Sequence, residues 1–275
     1  MRAIVLDRSG SPVLGEVADP GEDAFRVLAC GLCGSDVEKI GHAPPGTVLG
    51  HEVVAEYDGL RVALVHHMPC GACDRCAAGH ESTCDSFAAA TIVPGGFAER
   101  VAPTMGFELP PALDTVLGTY AEPLACVLRG AERVPAGRVL VVGQGFIGRL
   151  FAEVLRRRGD DVFAIDSNPA RAGRAPDGPV DAAVVCAPAA QLEQVAPGGT
   201  VLVFADGGPV DLGEVYRREL TLTGSRSATP DHMAAALVLL PELDLPEPTV
   251  LPLTRFAEGV ELYRSGRALK VVFTP

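Results

Sequence analysis

The sequence contains no tryptophan, and aromatic residues make up only 5% of it. It has no stripe of aromatic and basic residues on which the bases of a single strand could stack. Basic residues are scarce too: 23 Lys and Arg stand against 35 Asp and Glu, for a formal net charge of −12. Such a chain repels a phosphate backbone, so nucleic acid is not expected as a partner. No apolar run is long enough to cross a bilayer, so no membrane span is expected. The amino terminus, MRAIVLDRSGSPVLGEV, lacks both a long apolar segment and a small-residue cleavage site. No export signal is expected, which places the chain in the reducing cytoplasm, where disulfides are rare. Internal repeats and extended low-complexity segments are also missing.

What is present suits a globular protein. The 275 residues, 48% of them hydrophobic, are enough for two domains. In the first hundred residues, short apolar runs at 2–6, 47–57, 61–67 and 96–102 read as strands broken by Gly and Pro, a loop-rich antiparallel domain. The texture changes near Tyr120. Residues 121–134 read as a helix with Leu124, Val127 and Leu128 on one face, ended by Pro135 and Gly137. An apolar strand at 139–142 leads into a helix carrying Ile147, Leu150, Phe151, Val154 and Leu155 on one face, which stops at Gly159. Strands at 162–165, 182–186, 200–204 and 220–223 alternate with helices at 189–195 and 231–240, the pattern of a doubly wound parallel sheet. A helix near 256–265 and a strand LKVVF close the chain.

Gly143-Gln144-Gly145-Phe146-Ile147-Gly148 is a GxGxxG between an expected strand and an expected helix, and Asp166 ends the next strand eighteen residues after Gly148. In a dinucleotide site Gly143 makes the tight turn, Gly145 admits the pyrophosphate to the backbone, and Gly148 lets helix and strand pack closely. The helix N-terminus then offers free N–H groups to the phosphates. A carboxylate at Asp166 accepts hydrogen bonds from ribose hydroxyls and repels a 2′-phosphate, so NAD is expected over NADP. The bland alternative is a glycine-rich turn without a ligand.

Four of the eight cysteines, Cys70, Cys73, Cys76 and Cys84, follow C-x2-C-x2-C-x7-C. They could form a disulfide knot, a redox pair or a closed tetrahedral zinc cage; the spacing and the expected compartment favour structural zinc. Upstream, Cys33 precedes Gly34-Ser35-Asp36, His51 stands beside Glu52, and Glu122 opens a helix. A thiolate, an imidazole and a carboxylate can hold a zinc ion with one position open for chemistry. Singly each has a plain reading as buried thiol, core histidine or helix-terminal acid; beside a nucleotide site, the metal reading is preferred. Cys30, Cys126 and Cys186 read as core, and His42, His66, His67, His80 and His232 as structural.

CGSD, GHE, PCGACDRCAAGHESTC, GGFAE, AEPLAC, VVGQGFIG and SGRALKVVF, in this order along nearly the whole chain, resemble the zinc-dependent medium-chain dehydrogenases, which include alcohol, sorbitol and threonine dehydrogenases. The resemblance implies an α/β protein with a mainly-β GroES-like catalytic domain (1–120), a Rossmann NAD-binding domain (121–245) and a C-terminal return to the catalytic domain (246–275). It implies two zinc ions, one catalytic and one structural, and a homodimer or homotetramer. It makes Glu122 the carboxylate that replaces a catalytic-site cysteine and Glu52 an exchangeable ligand. Asp36 becomes the acid that orients the zinc histidine, Ser35 the first hydroxyl of the proton relay, and Lys270 a contact to cofactor phosphate. The implied reaction is hydride transfer between NAD and a secondary alcohol, with a polyol, cyclitol or amino-alcohol preferred. The alternatives are a zinc-independent quinone or enoyl reductase of the same superfamily and a catalytically silent NAD-binding sensor.

Three features depart from the family pattern. The stretch between Asp166 and Ala182 is too short for the usual helix and strand, GHAPPGT before GHE is short, and Glu38 stands where many relatives carry His in the relay.

Overall fold

The computed structural model describes residues 1–88, 90–188, 192–205 and 208–275. The chain forms two compact units: Met1–Pro123 with Ala228–Glu242 and Pro246–Pro275, and Leu124–Ser227 with Leu243–Leu245. Residues 228–242, expected at the end of the Rossmann domain, group with the first unit. No helix among the described residues is long and apolar enough to cross a membrane.

In the first unit, β1 (Arg2–Leu6) and β2 (Pro12–Glu16) pair as an antiparallel ribbon. β3 (Phe25–Gly31) runs into the short helix α1 (Gly34–Lys39). β4 (Glu52–Tyr57), β5 (Leu60–Leu64), β6 (Arg100–Val101) and β7 (Gly106–Glu108) follow, with a short helix α2 (Asp74–Ala77) in the cysteine-rich loop and α3 (Thr115–Gly118) after β7. The strands expected at 47–57, 61–67 and 96–102 are therefore shorter than their apolar runs. At 47–51 the chain turns instead, because Gly50 adopts φ +97° and its neighbour His51 is drawn to a buried acid. α4 (Ala121–Ala131) begins where expected and ends three residues early.

In the second unit, β8 (Arg138–Val142) leads into α5 (Phe146–Arg158), whose end at Gly159 takes the left-handed φ of +98° that suits glycine. β9 (Asp161–Ile165), β10 (Val180–Val185), β11 (Val195–Val203), α6 (Leu212–Arg217) and β12 (Thr221–Gly224) complete it. The sheet has the order β12-β11-β10-β8-β9, all parallel. The doubly wound expectation is met in a trimmed form, with β9 left at the edge. The short return after Asp166 lies back along that edge: Ala164 donates its N–H to the Arg174 carbonyl at 2.9 Å and accepts from Gly173 at 3.1 Å. The Arg138 and Arg174 guanidiniums stand 4.6 and 4.1 Å from the Phe163 ring and pair with Asp161. An exposed strand edge invites unwanted pairing, and these contacts blunt it. Of the helix expected at 189–195, residues 189–191 lie outside the described residues and Leu192–Gln194 form a single 3-10 turn.

The chain then returns through α7 (Pro230–Leu239), β13 (Thr249–Pro252), α8 (Phe256–Arg264) and β14 (Val271–Thr274). β13 and β14 complete a sheet of order β13-β14-β3-β4-β5-β7, with β6 also on β3. Its core joins Leu32, Leu49, Val53, Phe97, Phe256 and Phe273. The three phenyl rings meet at 4.7–5.6 Å between centroids, two of the pairs edge to face. Packing of the C-terminal segment against β3 holds the start of α1 in place.

Candidate active site

Cys33 caps α1 in extended conformation, His51 follows the Gly50 turn, and Glu52 opens β4. One atom from each, the Cys33 sulfur, a His51 ring nitrogen and a Glu52 carboxylate oxygen, lies within 4.8 Å of the others. Asp36 ties the segments together. Its carboxylate accepts N–H bonds from Cys33 and Gly50, both at 3.1 Å, and lies 3.3 Å from His51 Nδ1. Asp36 is 1% exposed and His51 7%. Burial works against charge on His51, but the Asp36 carboxylate outweighs it and holds the imidazole well above its usual pKa. Asp36 is held below its own, since His51 and the two backbone donors outweigh burial. With Nδ1 committed to Asp36, Nε2 is the nitrogen free for a metal.

Glu52 is 1% exposed and pairs with the Lys270 ammonium, which is 2% exposed and also donates to the Leu32 carbonyl at 3.2 Å. Lys270, expected at a cofactor phosphate, is thus placed against a candidate metal ligand instead. Glu122, in the first turn of α4, is not among the atoms that meet within 4.8 Å. Ser35 lies within α1 with its hydroxyl outside any hydrogen bond among the described residues, and Glu38 is exposed. From the sequence His66 is expected to be structural. Its ring stacks on His51 at 4.7 Å and meets the tilted ring of His67 at 3.8 Å, and His67 in turn stacks on Phe87 at 4.7 Å. Burial pulls His66 down to about 2, so it is neutral, and its Nδ1 is buried without a partner. No spacing in the sequence signals this stack, because it joins the end of β5 to the Gly50 turn.

The four sulfurs of Cys70, Cys73, Cys76 and Cys84 also lie within 4.8 Å of one another, with Cys70–Cys76 at 4.0 Å and Cys73–Cys76 at 3.6 Å. A tetrahedron with Zn–S bonds of 2.3 Å needs sulfurs about 3.8 Å apart. All eight cysteines are free thiols. The Cys70 backbone N–H, 3.4 Å from the Cys84 sulfur, is the main cause of a Cys84 pKa lowered to about 6, so a thiolate forms at neutral pH. The donor set fits zinc.

In the second unit, Gly143 adopts φ +88°, and a side chain at Gly148 would collide with the Gly143 carbonyl. A Cβ at Gly145 would project into open space, which leaves its backbone approachable. Phe146 opens α5 and is buried; Ile147 is half-buried. The Asp166 carboxylate accepts the N–H groups of Gln144 and Asn168, each at 2.7 Å, so it braces the turn it follows. The turn fits a dinucleotide.

The family model of the alcohol dehydrogenase GroES-like domain matches residues 19–107. A D-altritol 5-dehydrogenase of Agrobacterium fabrum is 32% identical over 299 residues, covering 87% of this chain and 88% of that protein. The chain belongs to the zinc-dependent medium-chain dehydrogenases. An L-galactonate-5-dehydrogenase of Escherichia coli is 29% identical over 57% of this chain, which spans about half (52%) of that protein. Among solved structures, the alcohol dehydrogenase TADH from Thermus sp. ATN1 matches with a TM-score of 0.83 and 26% identity, covering 100% of both chains.

In this medium-chain dehydrogenase the buried Asp36–His51 contact makes a direct prediction. Replacing Asp36 with asparagine will weaken zinc binding roughly 10- to 100-fold, because the ring loses its orienting carboxylate. Competition with a chromophoric chelator measures it, and unchanged affinity would remove the role.

Proposed function

We propose that this chain oxidises a secondary hydroxyl of a polyol or related alcohol, with zinc bound at Cys33, His51 and Glu52 and NAD bound at the Gly143–Gly148 turn. The observation that carries this reading is the meeting of those three side chains within 4.8 Å over one buried carboxylate. The altritol and galactonate activities named for the relatives favour a polyhydroxylated substrate.

When bound, zinc supplies a Lewis acid for the alcohol oxygen and the dinucleotide supplies a hydride acceptor. The chain's own residues do the rest. Asp36 holds His51 in one orientation. Lys270 holds Glu52 while leaving it within reach of Cys33 and His51. Ser35 Oγ, unengaged, accepts the proton of the substrate hydroxyl and passes it outward, with the exposed Glu38 three residues further on. Cys70, Cys73, Cys76 and Cys84 staple their loop around a second, structural zinc. NADH formation by zinc-loaded protein across polyols, cyclitols, threonine and simple alcohols tests the reading. Activity confined to quinones or enones would overturn it.

Asp166 sets the cofactor. A carboxylate facing the ribose repels a 2′-phosphate, and like-charge contacts in a binding site cost several kcal/mol. The KM for NADP is expected to exceed that for NAD by at least about tenfold. A lower KM for NADP would show that Asp166 serves only to brace the turn.

A further inference from the structure

Tyr263, on the last turns of α8, has no part in the chemistry above. Its ring packs against the core of the first unit, and its hydroxyl ends over Gly34, where a Cβ would lie 3.1 Å from the phenol oxygen. Gly34 separates Cys33 from Ser35. The phenol thus stands against the residue that joins a candidate zinc ligand to Ser35, within electrostatic reach of Cys33 and Glu52. Among the described residues neither the Tyr263 nor the Ser35 hydroxyl makes a hydrogen bond. Burial first, then the negative charge of Cys33, Glu52, Asp36 and Glu38, holds the phenol above its usual pKa. A phenol is protonated at neutral pH even without that help. It is a half-buried donor with no acceptor among the described residues, and so is available to a ligand.

We propose that Tyr263 donates a hydrogen bond to a second substrate hydroxyl, on the carbon next to the one being oxidised, and so selects polyols over mono-alcohols. Neighbouring hydroxyls of a diol lie within hydrogen-bond distance of each other. A group that recognises the second must therefore stand close to the zinc ligands that meet the first, and Tyr263 stands against Gly34, the residue next to Cys33. The crowding at Gly34 fits this: any side chain there would press on the phenol oxygen. The inference rests on the polyol reading above.

The test compares wild type with Tyr263→Phe, both zinc-loaded, on the C4–C6 polyol that wild type turns over best and on 2-butanol. Calorimetry measures binding of the same polyol, and fluorescence titration measures NADH binding. The expected result is a roughly 10-fold loss of kcat/KM and of binding for the polyol, with less than about 2-fold change for 2-butanol and for NADH, because the site then leaves a substrate hydroxyl unpaired. Equal losses on both alcohols, or none on either, would overturn the assignment. So would weakened NADH binding with an unchanged polyol preference, since the phenol would then serve a ribose hydroxyl. These outcomes leave the polyol reading standing. A wild type that oxidises 2-butanol but no polyol removes that reading, and this one with it.

Discussion

Cys33→Ser will lower alcohol oxidation by on the order of 10³-fold or more, since a metal's stabilisation of developing charge is worth several kcal/mol. The substitution is chosen so that folding and chemistry separate. Cys33 is the N-cap of α1, and serine is among the residues best suited to that position. Its backbone N–H still donates to Asp36, so the buried carboxylate keeps that partner. What disappears is the sulfur ligand. With zinc at both proposed sites, its content is expected to fall from two ions per chain to one, with the melting temperature little changed and the four-cysteine cluster still loaded. Full activity in the serine variant would remove Cys33 from the metal site. A collapse in melting temperature with both ions lost would make its role structural.

Lys270→Met will destabilise the protein by about 3–5 kcal/mol, the usual result of leaving a buried charge without its partner. Glu52 and Lys270 are both almost fully buried, so water cannot replace the lost ammonium. For a chain of this size the shift corresponds to roughly 10 °C in melting temperature. The double variant Glu52→Gln with Lys270→Met is expected to recover more than half of the loss, because neither half of the pair is then left charged. In the proposed site zinc would supply a second cation for Glu52, so the metal-stripped form should suffer more than the loaded one. Equal losses in both forms would mean that Glu52 does not meet the metal.

The clearest signals in the sequence were local. C-x2-C-x2-C-x7-C brings four thiols together because the short α2 turn and the following 3-10 turn leave little freedom in the loop. The GxGxxG turn was equally legible, since Gly143 and Gly148 are required by one tight strand-to-helix connection. Cys33, Asp36, His51 and Glu52 could be named from their motifs, but their meeting depends on β3 pairing with β4 and on a turn at Gly50. β3 was not among the strands expected from the sequence. The overlong strand at 47–57 failed because an apolar run does not reveal a left-handed glycine within it.

By itself the sequence determined the family, the two sets of candidate ligands, the dinucleotide turn and the shortening after Asp166. All of these rest on neighbours within a few turns of chain or on the count of residues between motifs. Only the tertiary structure showed that Glu52 lies close to Cys33 and His51, that Lys270 faces Glu52, that His66 stacks on His51, and that Tyr263 reaches Gly34. Each of those contacts joins segments far apart in the chain, and Lys270 meets Glu52 across 218 residues. Such pairings are set by how β14 docks on β3 and how α8 packs on the shared phenylalanine core, and no local spacing encodes them.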